Sequence, residues 1–328
     1  MTYSRKKKKL SIDIITSALN EEECLPEFFR RIKHIMSTEF NYKYRIIVID
    51  NCSQDRTWEI IQDYSKKNRE IFGIQLSKTF SLDAAFTCGL DFATGDIAII
   101  MTSDLQDPPE QIPNLLRKYE EGFEQVLVKV IRRRSVPILR RIFSWGFYKI
   151  ASKMTDGLLP QNVSDFRLMN RKSYLGVRMV RENHRFMRGI SSWVGFKSTV
   201  IESERPERFA GNSKWLSMSI FRIFGQASRS IFAYSARPLM WLSTIGIISS
   251  LFSVILMMVL VIYWVLGGSR PFPGFGTLII VGSSAFSLIM MSFGILAQYL
   301  SLTYEEVKRR PLYIVARTTS KSYKFIRS

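Results

Sequence analysis

Residues Ile97–Glu110 read IAIIMTSDLQDPPE, and this stretch decides the fold. Ile97 to Met101 is an uninterrupted apolar run after Gly95-Asp96, the pattern of a strand buried on both faces of a parallel sheet. Thr102, Ser103, Asp104, Gln106 and Asp107 follow, and Pro108-Pro109 stop the pairing. In open α/β sheets, ligands sit outside the carboxyl ends of the strands. Asp104 therefore stands at the rim of such a crevice, with Gln106 and Asp107 beside it. Oxygen ligands of this kind suit a hard cation, Mg2+ or Mn2+, bridging to a diphosphate. A strand end followed by an Asx-Pro turn with solvated carboxylates accounts for the same residues.

Working outward, the same alternation recurs upstream. Ser11–Thr16 is a β-rich run, followed by Asn20 and three glutamates. A helix then carries Leu25, Phe28, Phe29, Ile32 and Ile35 on one face, with Asn20 as its candidate cap. Tyr44–Ile49 is a second buried strand, ending in Asp50-Asn51-Cys52-Ser53, and a helix through Tyr64 follows, capped by Ser53 or Asp55. Ile71–Leu76 is a third strand, and Leu82–Thr94 has helical spacing. Strand and helix in alternation predict a mostly parallel, Rossmann-like α/β sheet with helices on both faces. Asp50 and Asp104 then lie on one sheet edge. A carboxylate there accepts hydrogen bonds from a base or a ribose, or holds a metal. Neither a Gly-rich dinucleotide fingerprint nor a P-loop is present.

Downstream, Gln125–Ile131 is another strand, leading to Arg132-Arg133-Arg134 and then Arg140-Arg141. These arginines form either a solvated charged face or a bidentate phosphate clamp. Val163–Met169 alternates, with Asp165 and Arg167 on one side and Phe166 and Leu168 on the other. Arg185–Gly189 and Gly211–Trp215 set cations beside glycines, as phosphate-contacting loops do.

The chain has 328 residues and a net charge of +19. Such a balance points to nucleic acid, an anionic membrane surface or acidic substrates. No nucleic-acid-binding motif is present, and the basic residues are scattered. Leu239–Leu266 and Thr277–Leu300 carry no charged residue. Each exceeds the ~20 residues a spanning helix needs. The connector Gly267–Gly276 holds one arginine, Arg270, whereas Arg222, Arg229 and Arg237 precede the pair and Lys308, Arg309, Arg310 and Arg317 follow it. Positive charge stays cytoplasmic, so both flanks are expected there. Trp215–Phe232 has the apolar spacing of an interfacial helix or of a core-facing one. The expected organisation is a domain over 1–212, an interfacial helix region over 213–237, a transmembrane hairpin over 238–300 and a cytosolic tail over 301–328. Small residues in the spans (Gly246, Ser249, Gly282, Ala285) suit helix packing and a homo-oligomer such as a tetramer. The three cysteines, Cys24, Cys52 and Cys88, have no metal or disulfide spacing.

The segments SALNEE (17–22), VIDNCSQDRT (48–57), SKTFSLDAAFTCG (77–89), SDLQDPPE (103–110), DFRLM (165–169), RFMRG (185–189) and GNSKW (211–215) together resemble the GT-A glycosyltransferases of family 2. Within that family the chain looks like the polyprenyl-phosphate glycosyltransferases, the dolichol-phosphate mannose synthase group and its bacterial undecaprenyl-phosphate (bactoprenol) glucosyltransferase relatives. The tail EVKRRPLYIVAR (306–317) is similar to the bacterial members. The resemblance implies a GT-A domain at a bacterial inner membrane. It implies a nucleotide-diphosphate sugar donor, with UDP-glucose first, a polyprenyl phosphate acceptor, Mg2+ or Mn2+, and inversion. By position, Asp50 matches the base-recognising carboxylate and Glu21 an acidic residue near the nucleoside. Asp104 and Gln106 match the metal-binding segment, and Arg132 an arginine near the phosphates. Asp165 and Arg167 match the segment facing sugar and acceptor. Arg205, Ser213 and Lys214 match a late loop closing on the diphosphate. Ser17, Leu19, Lys78 and Ser103 fall within the donor-site segments. Two departures stand out. Thr102 sits where the family has Asp, and Asn51-Cys52 where it has Asp-Gly.

Overall fold

The computed structural model describes residues 9–39, 42–133, 163–183, 185–206, 208–210, 237–266 and 275–319. The expected interfacial helix, Ser213, Lys214, Arg140 and Arg141 lie outside them. The chain divides into two compact units, Met1–Ser219 with Arg310–Ser328, and Ile220–Arg309.

The first unit is built on eight strands: β1 (Leu10–Ala18), β2 (Tyr42–Asp50), β3 (Ile71–Leu76), β4 (Ile97–Thr102), β5 (Gln125–Arg133), β6 (Val163–Asn170), β7 (Ser198–Arg205) and β8 (Val315–Thr318). They form one sheet in the order β7-β5-β6-β4-β1-β2-β3-β8. The central strands β4, β1, β2 and β3 run parallel, as the unbroken apolar runs require. Helix α1 (Leu25–Thr38) buries Leu25, Phe28, Phe29, Ile32 and Ile35. These join Ile12, Ile14, Val48 and Ile99 in the core beneath the sheet. Helix α2 is Thr57–Lys67, and helix α3, Leu82–Phe92, covers the opposite face. A Cβ on Gly89 of α3 would overlap Ile15 Cγ2 and stand 2.9 Å from Ile49 Cδ1, so glycine lets this helix lie against the strands. The sheet is therefore the mixed, Rossmann-like α/β sheet expected of a GT-A domain.

β7 was not expected as a strand, and two further strands depart from the expected pattern. β6 runs antiparallel to β4, with Ile100 opposite Arg167. This reversal brings the start of β6 to the edge where β4 ends. The last paired residues are Ile100 and Arg167, so Asp165 lies beyond them toward that rim. The second departure is β8. Read from sequence, 301–328 is a cytosolic tail with no strand assigned, whereas Val315–Thr318 pairs beside β3, antiparallel, at the sheet edge. A four-residue strand with half-buried and exposed side chains and none in the core carries no periodic signal of its own. Edge pairing to β3 supplies its hydrogen bonds.

Asn20 does not cap α1. It takes φ 54°, and its side chain accepts from the Gln54 N–H instead. Helix α4 (Ile112–Glu120) follows the short Pro109–Gln111 turn. Helices α5 (Arg171–Met179) and α6 (Met187–Trp193) follow β6.

The second unit holds helices α7 (Arg237–Val265) and α8 (Phe275–Val307), which touch each other. At 1.5 Å per residue they are about 43 and about 50 Å long. Ala285–Val307 is long and apolar enough to cross a membrane; Leu239–Ser249 is a shorter apolar stretch. Both helices leave large apolar side chains exposed, among them Ile247, Phe252, Leu278 and Phe293.

Candidate active site

The carboxyl ends of β1, β2 and β4 lie side by side, with Ser17 opposite Thr102 and Ala18 opposite Asp50. Immediately past each strand the chain turns through a left-handed residue: Asn20 at φ 54°, Cys52 at φ 64° and Leu105 at φ 61°. Such backbone costs about 1 kcal/mol or more per non-glycine residue and tends to gather at functional sites. The three turns are laced together. Asn20 N–H donates to Ser53 Oγ at 2.9 Å, Glu21 N–H to Thr57 Oγ1 at 2.8 Å, and Ser103 Oγ to the Ser17 carbonyl at 3.0 Å. Ser17 and Ser103 are both buried, so they brace the strand ends more than they face a ligand.

Past β4 the exposure alternates. Thr102, Asp104 and Gln106 are half-exposed, while Ser103, Leu105 and Asp107 point inward. Asp104 Oδ1 accepts from Thr102 Oγ1 at 2.7 Å and from the Gln106 N–H at 3.1 Å. Its other oxygen and the Gln106 side chain make no hydrogen bond among the described residues. The pair therefore fits a divalent ion, with one carboxylate oxygen open and an amide oxygen two residues away. No group of three acidic, His or Cys side chains gathers among the described residues. A cation held here would need most of its ligands from substrate oxygens and water, as Mg2+ commonly does. Thr102, the departure from the family pattern, bridges inward: its Oγ1 also lies 2.9 Å from Asp107 Oδ2. A hydroxyl donates once, so the Thr102 proton serves one of the two carboxylates at a time and ties them together. Burial is the main cause that pushes the Asp107 carboxyl up to about 6.

Glu21 is brought beside Asp104 by the chain past β7. Arg208 donates to Glu21 Oε1, and its Nε donates to the Ala210 carbonyl at 2.8 Å. Burial raises the Glu21 carboxyl, and the Arg208 charge opposes that shift. Arg208 was not among the sequence candidates, which named Arg205. Arg205 turns instead toward Asp107, whose charge it stabilises. The signal was the string of arginines running into Gly211, but sequence alone could not say which one crosses to β1.

Asp50 is completely buried. Ser53 N–H donates to its Oδ1 at 3.0 Å, and Gln75 Nε2 to its Oδ2 at 2.7 Å. Each oxygen keeps a second lone pair. Both oxygens are tied to protein donors and out of contact with solvent, so Asp50 is not laid out as a metal ligand. The neighbouring Asn51 clamps the next loop, accepting from the Phe80 N–H and donating to the Phe80 carbonyl, both at 2.8 Å. An ionised aspartate could accept but not donate, so Asn serves here where Asp would not. Lys78 of that loop is exposed, its ammonium over the Phe80 ring. Leu19 is half-exposed between the β1 and β2 ends.

A second cluster adjoins at β6. Asp165 pairs with Arg188 of α6 at 3.1 Å. Arg167 corrects the sequence reading. It is completely buried and donates to the carbonyls of Ser164, Asp165 and Met187 and to Ser191 Oγ. Nearly all of its donors are spent on protein acceptors, so it holds α6 to β6 and does not face the donor. Arg185 likewise donates to the Val177 and Val180 carbonyls at the C-terminus of α5, a capping role, where a phosphate contact was expected. Asp83 of α3, unremarked in sequence, completes the cluster by accepting from the Met187 N–H at 2.8 Å. Arg132 lies in β5, in register with Glu204.

A glycosyl transferase family 2 model matches residues 13–176. An uncharacterised glycosyltransferase of Synechocystis is 33% identical over 307 residues, covering 94% of this chain and 95% of the relative. A prophage bactoprenol glucosyl transferase homologue of Escherichia coli is 31% identical over 308 residues, covering 94% and 99%. The bactoprenol glucosyl transferase of Shigella phage SfII is 31% identical over 309 residues, covering 94% and 98%. Among solved structures, glucosyl-3-phosphoglycerate synthase of Mycobacterium tuberculosis with Mn2+, UDP and phosphoglyceric acid aligns at TM-score 0.48 and 16% identity, over 68% of this chain and 76% of that one. The Pyrobaculum calidifontis mannosyltransferase with GDP-Man and Mn2+ aligns at TM-score 0.46 and 14% identity, over 93% and 89%. The family match and these relatives define a glycosyltransferase. In particular, the chain belongs to glycosyl transferase family 2.

Proposed function

We propose that the chain transfers a sugar from a nucleotide diphosphate to a polyprenyl phosphate held in a bilayer. UDP-glucose and undecaprenyl phosphate are the first candidates. The observation that carries the reading is Asp104, half-exposed at the end of β4 with one oxygen open, beside the Glu21–Arg208 pair. The acceptor class rests on the relatives named bactoprenol glucosyl transferase, which match from end to end. Two long helices with exposed apolar faces agree with it. In this reading both helices span the membrane and both flanks are cytoplasmic.

Asp104 and Gln106 would hold Mg2+ or Mn2+, which supplies positive charge against the departing diphosphate. Glu21, Asp50, Leu19 and Lys78 border the nucleoside side, and Arg208 adds charge near Asp104. Asp165, at the start of β6 and oriented by Arg188, faces the sugar and acceptor. The acceptor phosphate, whose second pKa is about 6, is mostly dianionic at neutral pH and attacks without a strong general base. Attack from the side opposite the diphosphate inverts the anomeric carbon. Asp165 then positions more than it deprotonates, and the larger task is stabilising the leaving group.

The test is turnover by the purified full chain in detergent or vesicles. It uses undecaprenyl phosphate, Mg2+ or Mn2+, and a panel of UDP-glucose, GDP-mannose and UDP-aminosugars. One lipid-linked product of inverted configuration is expected, and Asp104→Ala should cut the rate by about 100-fold or more. Near-normal transfer by that variant removes Asp104 from its role. Transfer from no donor leaves a fold kept as a membrane scaffold.

A further inference from the structure

The C-terminal strand reaches the nucleoside side of the site through one glutamine. Gln75, on β3, stands between Asp50 and Arg317 of β8. Its Nε2 donates to Asp50 Oδ2 at 2.7 Å, and its Oε1 accepts from Arg317 Nε. A guanidinium only donates and an ionised carboxylate only accepts. The amide therefore has a single orientation that satisfies both neighbours. Without Arg317, Gln75 loses the contact that keeps its nitrogen toward Asp50. Arg317 is exposed at the surface, so solvent screens its charge; what it supplies is geometry. Its guanidinium is in turn placed over the Trp58 ring, 5.7 Å from the centroid.

The strand is tethered along its length to elements that carry donor-site residues. The Ile314 carbonyl accepts from the Ser77 N–H at 2.9 Å, next to Lys78. Tyr313 donates to Asp91 of α3 at 2.7 Å. Thr319 N–H donates to the Gly73 carbonyl, and the Gly73 N–H to Thr319 Oγ1, both at 3.0 Å. These contacts join the tail to β3, to the loop after it and to α3. In chain order the tail follows both apolar helices.

We propose that Arg317 is a positioning residue for nucleoside recognition: through Gln75 it orients the Asp50 carboxylate, so the C-terminal strand sets the enzyme's affinity for the base of its donor. This rests on Asp50 being the group that meets the base. The consequence is that a chain lacking its last twenty residues loses donor affinity even though every strand-end carboxylate is present.

The experiment is calorimetric binding of UDP, GDP and ADP to the full-length protein in Mn2+, together with donor and acceptor kinetics. Arg317→Ala should weaken the preferred nucleotide about 10-fold and raise donor KM similarly. Acceptor KM should stay within about twofold, and preference among the three bases should narrow. Arg317→Lys, which keeps a donor, should recover part of the loss. Gln75→Leu should weaken binding as much. The double variant should be no worse than Gln75→Leu alone, because the two act in series. Wild-type affinity and unchanged base preference in Arg317→Ala would overturn the proposal. Equal losses toward donor and acceptor would also overturn it, since they signal general loosening, which Arg317→Lys would then fail to repair. If the native protein binds none of the three nucleotides, the base-site reading of Asp50 falls first. Native binding with a silent Arg317→Ala sinks only the role of the strand.

Discussion

At the scale of single residues, the site is set by small choices at three strand ends. Cys52 occupies a left-handed position, φ 64°, a backbone conformation that favours glycine. Cys52→Gly should therefore stabilise the protein by about 1 kcal/mol, read as a shift in the denaturant midpoint; an unchanged or lower midpoint contradicts the strain. Asp83 gives a pH signature. Burial and the Asp165 charge push its carboxyl from 3.8 up to about 6, against the opposing Met187 N–H and nearby arginines. A carboxyl raised in the fold contributes its full stability below about pH 4. That contribution is lost as pH climbs through 6. Asp83→Asn should remove this slope, so variant stability relative to native should rise between pH 4 and pH 6. A flat difference in paired melts across that range would refute the assignment. Of the sequence candidates, Asp104 and Gln106 are where their strand end puts them, because the alternation past β4 is local. Arg167 is not, since an alternating strand tells which face a side chain takes but not what covers that face.

At the scale of elements, β1 to β4 and their helices follow the pattern of the sequence closely. Ile71–Leu76 is a strand over the expected residues, and Leu82–Phe92 a helix within two of the expected end. Unbroken apolar runs and 3.6-residue spacing are properties of a segment alone. The close approach of α3 to the sheet is another matter, and it hangs on Gly89. Gly89→Val would drive its side chain into Ile15 and Ile49. A loss of about 1–3 kcal/mol is expected in equilibrium unfolding, and full stability would show the helix free to lift. The polarity of β6 was not legible, because residue alternation is the same for parallel and antiparallel strands. That polarity is what carries Asp165 to the rim where β4 ends.

At the scale of the whole molecule, two units of opposite character share one chain. One buries its apolar residues around a sheet, and the other exposes them on two helices. An exposed surface of Ile, Leu, Phe and Met seeks an apolar solvent. With a spanning hairpin, a reporter fused within residues 267–274 should be active only outside the cytoplasm. One fused after Ser328 should be active only inside. The reverse pair, or two cytoplasmic signals, would end the topology proposed here. The paucity of cations in the connector relative to both flanks sets that expectation.

Local pattern alone determined the alternation from β1 to β4, the place of Asp104 and the two uncharged stretches, Leu239–Leu266 and Thr277–Leu300. These depend on neighbours within one or two turns of the chain. Tertiary structure decided the rest: Arg208 on Glu21, Arg317 on Gln75, and the tail as an edge strand. Those pairs are separated by 187 and 242 residues. An arginine carries no mark in its own segment of which distant carbonyl or carboxylate will complete it. That partner is chosen only when the sheet closes and each buried polar group must find one.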